Sequence, residues 1–434
     1  MTDPRKTIAS LPLSRFQILV IIYCTLLNAL DGFDVLSISF AAPGIASEWN
    51  ITRGTLGFVL AMELFGMAIG SIILGLFADK MGRRPILLTS LVIMSSGMFL
   101  ASIADTLYGL SVVRLWTGLG IGGMLAATNA MVAEFSNAKR RSLAVVIMAT
   151  GYPVGVIIGG TIASYLLVSF DWRSIFVFGG VVSLLFLPLI WFSIPESVSF
   201  LIQKGPPNAL KKVNGILARM GREKVSALPE ADSNSKPLTK SLFSKNIALT
   251  TFLLTAAYFA HIMTFYFILK WIPKIVVDMG FAPSLAGTVL VWASVGGATG
   301  SIVLGLLSQK IDVRRLVILA LILASGMIIY FGQGQDGLTK LSIVAAVAGF
   351  FTNSAVVGLY AIIASSFPTE LRATGTGFVI GVGRGGAALG PIVAGLLFSA
   401  GFGLNVVAGV MAIGSIIAAI AIFVLIKVVK PSLN

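Results

Sequence analysis

Stretches long and apolar enough to cross a bilayer recur along nearly the whole of this chain, and they leave little choice of fold. Twelve are read, at 16–42, 55–78, 85–104, 108–132, 142–169, 174–193, 246–272, 284–308, 314–332, 339–366, 374–399 and 402–427. Each holds about 20 residues or more, the length a helix needs to traverse the hydrocarbon core. Inside lipid every backbone amide must find its partner within the segment or in a closed barrel. Unbroken apolar runs of this length are helical, so an all-α membrane protein of twelve transmembrane helices is expected. Composition agrees: 57% of the 434 residues are hydrophobic and 11% are charged, against about 25% charged in a soluble domain. The first run follows polar residues and lacks a small-residue cleavage site, so it reads as a span and not as a signal peptide.

The net charge of +14 would be a nucleic-acid footprint if it lay on one surface patch, but it alternates with the spans. Basic residues gather at Arg5, Lys6 and Arg15, at Lys80, Arg83 and Arg84, and at Lys139, Arg140 and Arg141. They continue through 194–245, at Lys310, Arg314 and Arg315, at Arg372, and at Lys427 and Lys430. The opposite loops hold only Arg53, Arg173, Lys274 and Lys340. That bias is the positive-inside pattern and predicts that both termini are cytoplasmic. Nucleic acid is therefore not an expected partner; the lipid bilayer is. Cys24 is the only cysteine, which excludes an intramolecular disulfide and a cysteine metal cluster.

Hydropathy breaks between 194 and 245, where Pro195, Pro206, Pro207 and Pro237 stand among lysines and the polar stretch Ala231–Ser235. Residues 208–220 have the pattern of a short amphipathic surface helix. A linker here divides the chain into two six-helix bundles, 1–193 and 246–434. An internal repeat supports the division: Gly75-Leu-Phe-Ala-Asp79-Lys-Met-Gly82-Arg83-Arg84 is answered by Gly305-Leu-Leu-Ser-Gln309-Lys310-Ile-Asp312. The offset is about 230 residues. Phe135-Ser-Asn-Ala-Lys-Arg140 is answered at nearly the same offset by Phe367-Pro-Thr-Glu370-Leu-Arg372. Parallel six-span repeats are the plan of a two-domain transporter.

Charges inside the spans carry the functional reading. Asp31 and Asp34 lie in the first span at i, i+3, with Asn28 one turn earlier on the same stripe. A carboxylate at bilayer depth costs about 2.5–3.5 kcal/mol on insertion scales, so the stripe must face protein or a water-filled cavity. Two carboxylates this close repel, and one should hold a proton; the alternative is a pair that only locks helices together. Glu63 in the second span is either a third proton carrier or a protonated, backbone-bonded carboxyl. Arg384, among the glycines of the eleventh span, needs an anion, and its planar fork fits a carboxylate. That anion is substrate or an internal acid. His261 is expected to line a cavity, with proton carriage as the lesser reading, and Lys270 to snorkel toward the outer end. Asn353, Tyr152, Tyr360 and Trp292, with Asn129, are polar or aromatic residues able to hold a ring and its carboxylate. The Gly118–Gly123 run imitates a dinucleotide fingerprint, but it lies inside a membrane helix, where small residues serve close packing.

The segment from Gly75 to Arg84 resembles the major facilitator superfamily signature G-x-x-x-D-x-x-G-R-[RK]. Arg114-Leu-Trp-Thr-Gly118-Leu-Gly120 resembles that superfamily's fourth-span motif, and the glycines with Pro153 its fifth-span motif. Gln309 departs from the pattern where the first half has Asp79. Asp31-Gly32-Phe33-Asp34, followed by Phe40-Ala-Ala-Pro43 and Glu48-Trp49, is similar to the aromatic acid:proton symporter family. The resemblance implies the major facilitator fold and uptake of a hydroxybenzoate, benzoate, protocatechuate or muconate with a proton across a bacterial inner membrane. It places Arg114 beside the proton-coupling acids, as a member of that group or as a static bridge. It makes Gly75, Asp79, Gly82, Arg83 and Arg84 a gating latch. Protons would be the coupling ion, with no other cofactor, no metal and no enzymatic step, and a monomer is expected. The rival reading on the same fold is an exporter of a drug or cation, which Arg384 at mid-depth would repel.

Overall fold

The computed structural model describes residues 3–229, 242–244, 247–368 and 371–428, and every regular element among them is helical. Ala231–Ser235, Pro237, Lys245, Thr369, Glu370 and Lys430 fall outside the described residues. Fifteen helices follow in order, and twelve of them have the length and hydropathy of membrane spans. These are α2 (Arg15–Glu48), α3 (Arg53–Met81), α4 (Arg83–Ser102), α5 (Leu107–Phe135), α6 (Arg141–Ser169) and α7 (Arg173–Ser193) before the linker. After it come α10 (Ala248–Asp278), α11 (Pro283–Leu307), α12 (Val313–Gly332), α13 (Leu338–Ser366), α14 (Arg372–Ser399) and α15 (Leu404–Val428). Three short helices complete the set: α1 (Pro4–Ser10), α8 (Val198–Lys204) and α9 (Ala209–Arg219). The expected amphipathic segment is α9; it buries Val213, Ile216 and Leu217, and Arg219 lies over the Phe16 ring at 4.2 Å.

Two compact units are formed. One gathers Met1–Val35, Gly66–Gly155 and Phe176–Lys236; the other gathers Leu36–Phe65, Val156–Ile175 and Pro237–Asn434. In the first unit, helices cross where glycine removes the side chain. A Cβ at Gly66 or Gly70 of α3 would lie 2.1 or 2.2 Å from the Leu115 or Leu119 carbonyl of α5. At Gly155 of α6 it would lie 1.7 Å from the Ala29 carbonyl of α2. In the second unit, Gly300 of α11 approaches the Phe350 carbonyl of α13, and Gly386 of α14 the Phe259 carbonyl of α10. The pairings α2–α6 and α3–α5 thus recur as α10–α14 and α11–α13. Without a hydrophobic drive in lipid, such small-residue contacts hold helices by dispersion and close backbone approach.

Two helices run past their hydropathy. Pro43 sits inside α2, which continues to Glu48, where the carboxylate takes the Arg173 fork through two 2.8 Å bonds and accepts from Trp172 at 2.7 Å. α10 continues past Pro273 to Asp278, and Asp278 pairs with Arg53 at 2.9 Å.

Candidate functional site

In the first unit, Asp31 and Asp34 are both fully buried, so the stripe faces protein as its cost requires. Asn28 anchors the same helix to α6, its amide donating to the Met148 carbonyl at 2.8 Å. Gly32, between the two aspartates, lets the Tyr152 carbonyl approach to where a Cβ would sit 2.1 Å away. Tyr152 therefore belongs beside the acids. Arg114 of α5 is completely buried; its Nη2 donates to the Asp34 carbonyl at 2.9 Å and its Nη1 to Met98 Sδ at 3.2 Å. Its guanidinium lies 5.3 Å from the centre of the Phe176 ring. A Cβ at Gly179 of α7 would come within 3.2 Å of Asp34 Oδ1, so that helix also closes over the carboxylate. Two acids and one arginine enclosed by protein interact strongly, because burial leaves little to screen their charges.

The second unit holds the complementary chemistry. Arg384 of α14 is half-buried, and its Nη1 is buried without a hydrogen-bond partner among the described residues. Neighbouring Gly383 abuts the Tyr258 ring, where a Cβ would lie 2.0 Å from Cδ1. The Tyr258 hydroxyl, on α10, is 3.0 Å from that of Tyr360 on α13, with the rings 5.6 Å apart. Three helices thus bring a guanidinium and two phenols together, a donor set suited to a carboxylate. Tyr258 is missing from the residues singled out in the sequence, where its position one helical turn before His261 gives no sign of a partner on α13.

Other expected residues are placed elsewhere. His261 does not line a cavity. It is completely buried, with Nε2 donating to the Thr352 carbonyl at 2.9 Å and Nδ1 accepting from Ser415 at 2.8 Å, so both nitrogens pin α10 to α13 and α15. Asn353 donates to the Gly297 carbonyl at 2.9 Å and to Ser301 at 2.8 Å, tying α13 to α11. Asn129 bonds back to Leu125 of its own helix. Trp292 is 52% exposed on α11 and enters no hydrogen bond or ring pair among the described residues. Lys270 does not snorkel: it is 0% exposed, and its Nζ lies 3.4 Å from Glu63 Oε2, itself 0% exposed. Glu63 is therefore an ion-paired acid, with α3 and α10 joined at depth. α14 ties in both helices: Gly54 N–H of α3 donates to Ser399 Oγ at 2.6 Å, and Trp271 Nε1–H of α10 to the Pro391 carbonyl at 3.2 Å.

The Gly75–Arg84 loop carries a charge cluster at Arg83 that includes Glu134 and Glu196, two residues the sequence reading did not place there. Gly82 has φ 109°, a conformation that favours glycine. Arg83 bonds Glu134 at 3.1 Å, meets the mostly exposed Asp79 at 3.3 Å and donates to the Ala78 carbonyl at 3.1 Å. Glu196 accepts from the Arg83 N–H at 2.9 Å and so caps α4 from the far end of α7. Burial pushes the Glu196 carboxyl above its ordinary value, against the opposing pull of the Ser197, Arg83 and Arg84 amides. Arg84 donates to the Trp191 carbonyl at 2.5 Å and stacks on its ring. Gly75 meets only Ala126 at ordinary contact distance, so its smallness is not strictly required in this arrangement.

A family model described as Major Facilitator Superfamily matches the chain over residues 24–282 and again over 254–434. A gallate transporter of Pseudomonas putida is 32% identical, the alignment covering 97% of this chain and 94% of that protein. A 4-hydroxybenzoate transporter of Acinetobacter baylyi is likewise 32% identical, with 97% and 94% covered. Among solved structures, a D-xylose–proton symporter aligns with TM-score 0.72 at 17% identity, over 95% of this chain and 98% of that one. That last likeness concerns the fold alone.

Proposed function

This chain belongs to the Major Facilitator Superfamily as a multi-pass membrane transporter, and we propose that it imports an aromatic carboxylate together with a proton. The observation that carries the proposal is the half-buried guanidinium of Arg384, its buried Nη1 without a partner among the described residues, near the Tyr258–Tyr360 hydroxyl pair. Such a group requires an anion. A carboxylate accepts from the arginine fork while the phenols take its remaining lone pairs or a ring hydroxyl. Relatives named for gallate and 4-hydroxybenzoate support the aromatic class. Benzoate, protocatechuate and the ring-opened muconate belong to the same chemical range.

The proton goes to the acids of the first unit. Asp31 or Asp34 takes it, and Arg114, bonded to the Asp34 carbonyl, holds that pair in place and competes for its negative charge. Neutralising the acids and the bound carboxylate removes the charge penalty of occlusion, after which the two six-span halves, 1–193 and 246–434, alternate access. A monoanion with one proton crosses without net charge. The loop from Gly75 to Arg84 gates the cycle by remaking the Arg83 contacts. The setting is a bacterial inner membrane with both termini cytoplasmic, protons as the coupling ion and a monomer as the working unit.

The test is uptake into proteoliposomes of labelled gallate, 4-hydroxybenzoate, benzoate, protocatechuate and muconate, with and without an inward proton gradient. Accumulation of one of them only under the gradient is expected. Equal uptake with and without it would remove the coupling. Movement of an organic cation and of no acid would hand the fold to the rival reading.

A further inference from the structure

The start of α3, the ends of α10, α12 and α14, and the start of α15 enclose a pocket of about 420 Å³ within the second unit. Arg53, Trp271, Asp278, Gln333, Phe398 and Asn405 line it. Arg53 opens α3 and remains 43% exposed; its Nη2 donates to Asp278 Oδ2 at 2.9 Å, and its guanidinium lies 5.3 Å from the centre of the Phe398 ring. Trp271 packs on that ring with centroids 5.1 Å apart. Asp278 is also bonded by Lys274, one turn back on α10. Two cations therefore share one carboxylate, and the cluster keeps one positive charge in excess. Among the described residues Nε and Nη1 of Arg53 have no acceptor.

We propose that this pocket is a second binding site for an aromatic monocarboxylate, a waiting site at the outer mouth. The proposal rests on the cargo class argued above. A cation stacked on a ring, with unused N–H groups beside an open cavity, recognises a carboxylate carried on another ring. The volume falls within the range of small-ligand pockets. The Gln333 and Asn405 amides offer partners for ring hydroxyls. Phe398 lies about 20 Å further along α14 than Arg384 at the helical rise, so the two guanidinium sites are distinct. A simple clasp between α3 and α10 needs Arg53 and Asp278 only, and a partly exposed pair of that kind contributes little to stability. It explains neither Lys274 nor the ring-walled cavity. An arriving carboxylate competes with Asp278 for the fork and in doing so loosens the tie between α3 and α10.

The experiment is equilibrium binding of labelled 4-hydroxybenzoate to the purified protein in an Arg384→Gln background, with wild-type uptake measured in parallel. One class of sites should survive Arg384→Gln. Adding Arg53→Gln should weaken it about tenfold or more, the value of one charge-assisted pair. Adding Asp278→Asn should leave it unchanged or tighten it, because the competitor is gone. Equal weakening by Arg53→Gln and Asp278→Asn would reduce the cluster to a clasp and overturn the site. So would loss of all binding in Arg384→Gln protein that remains folded by thermal unfolding; with wild-type uptake intact, the transport reading then stands alone. Arg53-dependent binding in a protein that accumulates no aromatic acid would instead preserve the pocket and sink the transport reading. Should Arg384→Gln not fold, the same pair is read in the wild-type background as a fall from two classes of sites to one with Arg53→Gln alone.

Discussion

The six spans before the linker and the six after it repeat one packing plan and hold opposite charges. Before the linker, the buried ionisable groups among the described residues are chiefly acids, Asp31, Asp34 and Glu63, with Arg114 as the one buried base. After it, Lys270 is a buried cation and Arg384 a half-buried one, His261 is held as a doubly bonded pin, and tyrosine hydroxyls complete the polar set. Glycine contacts between α2 and α6, and between α3 and α5, recur between α10 and α14 and between α11 and α13. A repeated scaffold thus keeps its backbone contacts, while the few side chains that face neither lipid nor glycine diverge in chemistry. That division suits a machine in which one half takes protons and the other takes an anion.

The largest effects should come from breaking this division at its two centres. Asp31→Asn or Asp34→Asn mimics a permanently protonated acid, so gradient-driven uptake should fall about 100-fold or more while exchange of cargo across the membrane survives. Arg384→Gln should raise KM about 100-fold, with Arg384→Lys recovering part of it, since an ammonium keeps the charge and loses the fork. Uptake and counterflow in proteoliposomes separate the two. If the Asp34 variant loses exchange as completely as uptake, the acids hold the fold or bind cargo, and the proposed split between proton and anion is wrong.

Next in size is the place where acid and base meet. Glu63 and Lys270 are wholly enclosed, and removing one partner leaves a buried, uncompensated charge at a cost of about 3–5 kcal/mol. Glu63→Gln and Lys270→Met should each lower thermal stability by that order. The double substitution should recover most of it, because a neutral pair carries no desolvation penalty. Detergent-resistant unfolding temperatures of the three variants check this. Additive losses would mean that the two groups are stabilised independently, by partners other than each other.

Much of this was legible in the chain, for physical reasons that also mark the failures. Apolar length set the spans closely: 314–332 is α12 at Val313–Gly332, and 339–366 is α13 at Leu338–Ser366. Hydropathy ends where charge begins, so it cut α10 at 272, although helix geometry carries it past Lys274 to Asp278. The cost of burying Asp31 and Asp34 in lipid predicts their enclosure by protein. The partner of Lys270 was not readable, since Glu63 lies 207 positions away and periodicity carries no information about a contact at that distance. His261 was misjudged because its two acceptor and donor partners, Thr352 and Ser415, sit on other helices. Glu196 fell in a stretch whose composition read as linker, and only the tertiary fold turns it back onto α4.

The smallest effects should come from the repeated loop, where the two halves solve one problem with different reach. Each must cap the helix that follows: α12 does so locally, Asp312 accepting from the Arg314 N–H at 2.7 Å, whereas α4 borrows Glu196 from beyond α7. Removing either acceptor by Asp312→Ala or Glu196→Ala should fray the first turn by about 1 kcal/mol, seen as faster amide exchange in that turn. Only the Glu196 change should also release the α7–α8 junction, because only that cap spans distant segments. Burial raises the folded Glu196 carboxyl above its ordinary 4.5, so its stabilising contribution is complete below that value and is lost as pH climbs through the raised one. Acidification through this window should slow exchange at Arg83 and Arg84 in the wild type. Glu196→Gln, neutral throughout, should flatten the dependence while keeping an acceptor for the Arg83 amide. An unchanged pH slope in that variant would take the titration away from Glu196, and the long-range cap would then differ from the local one in reach alone.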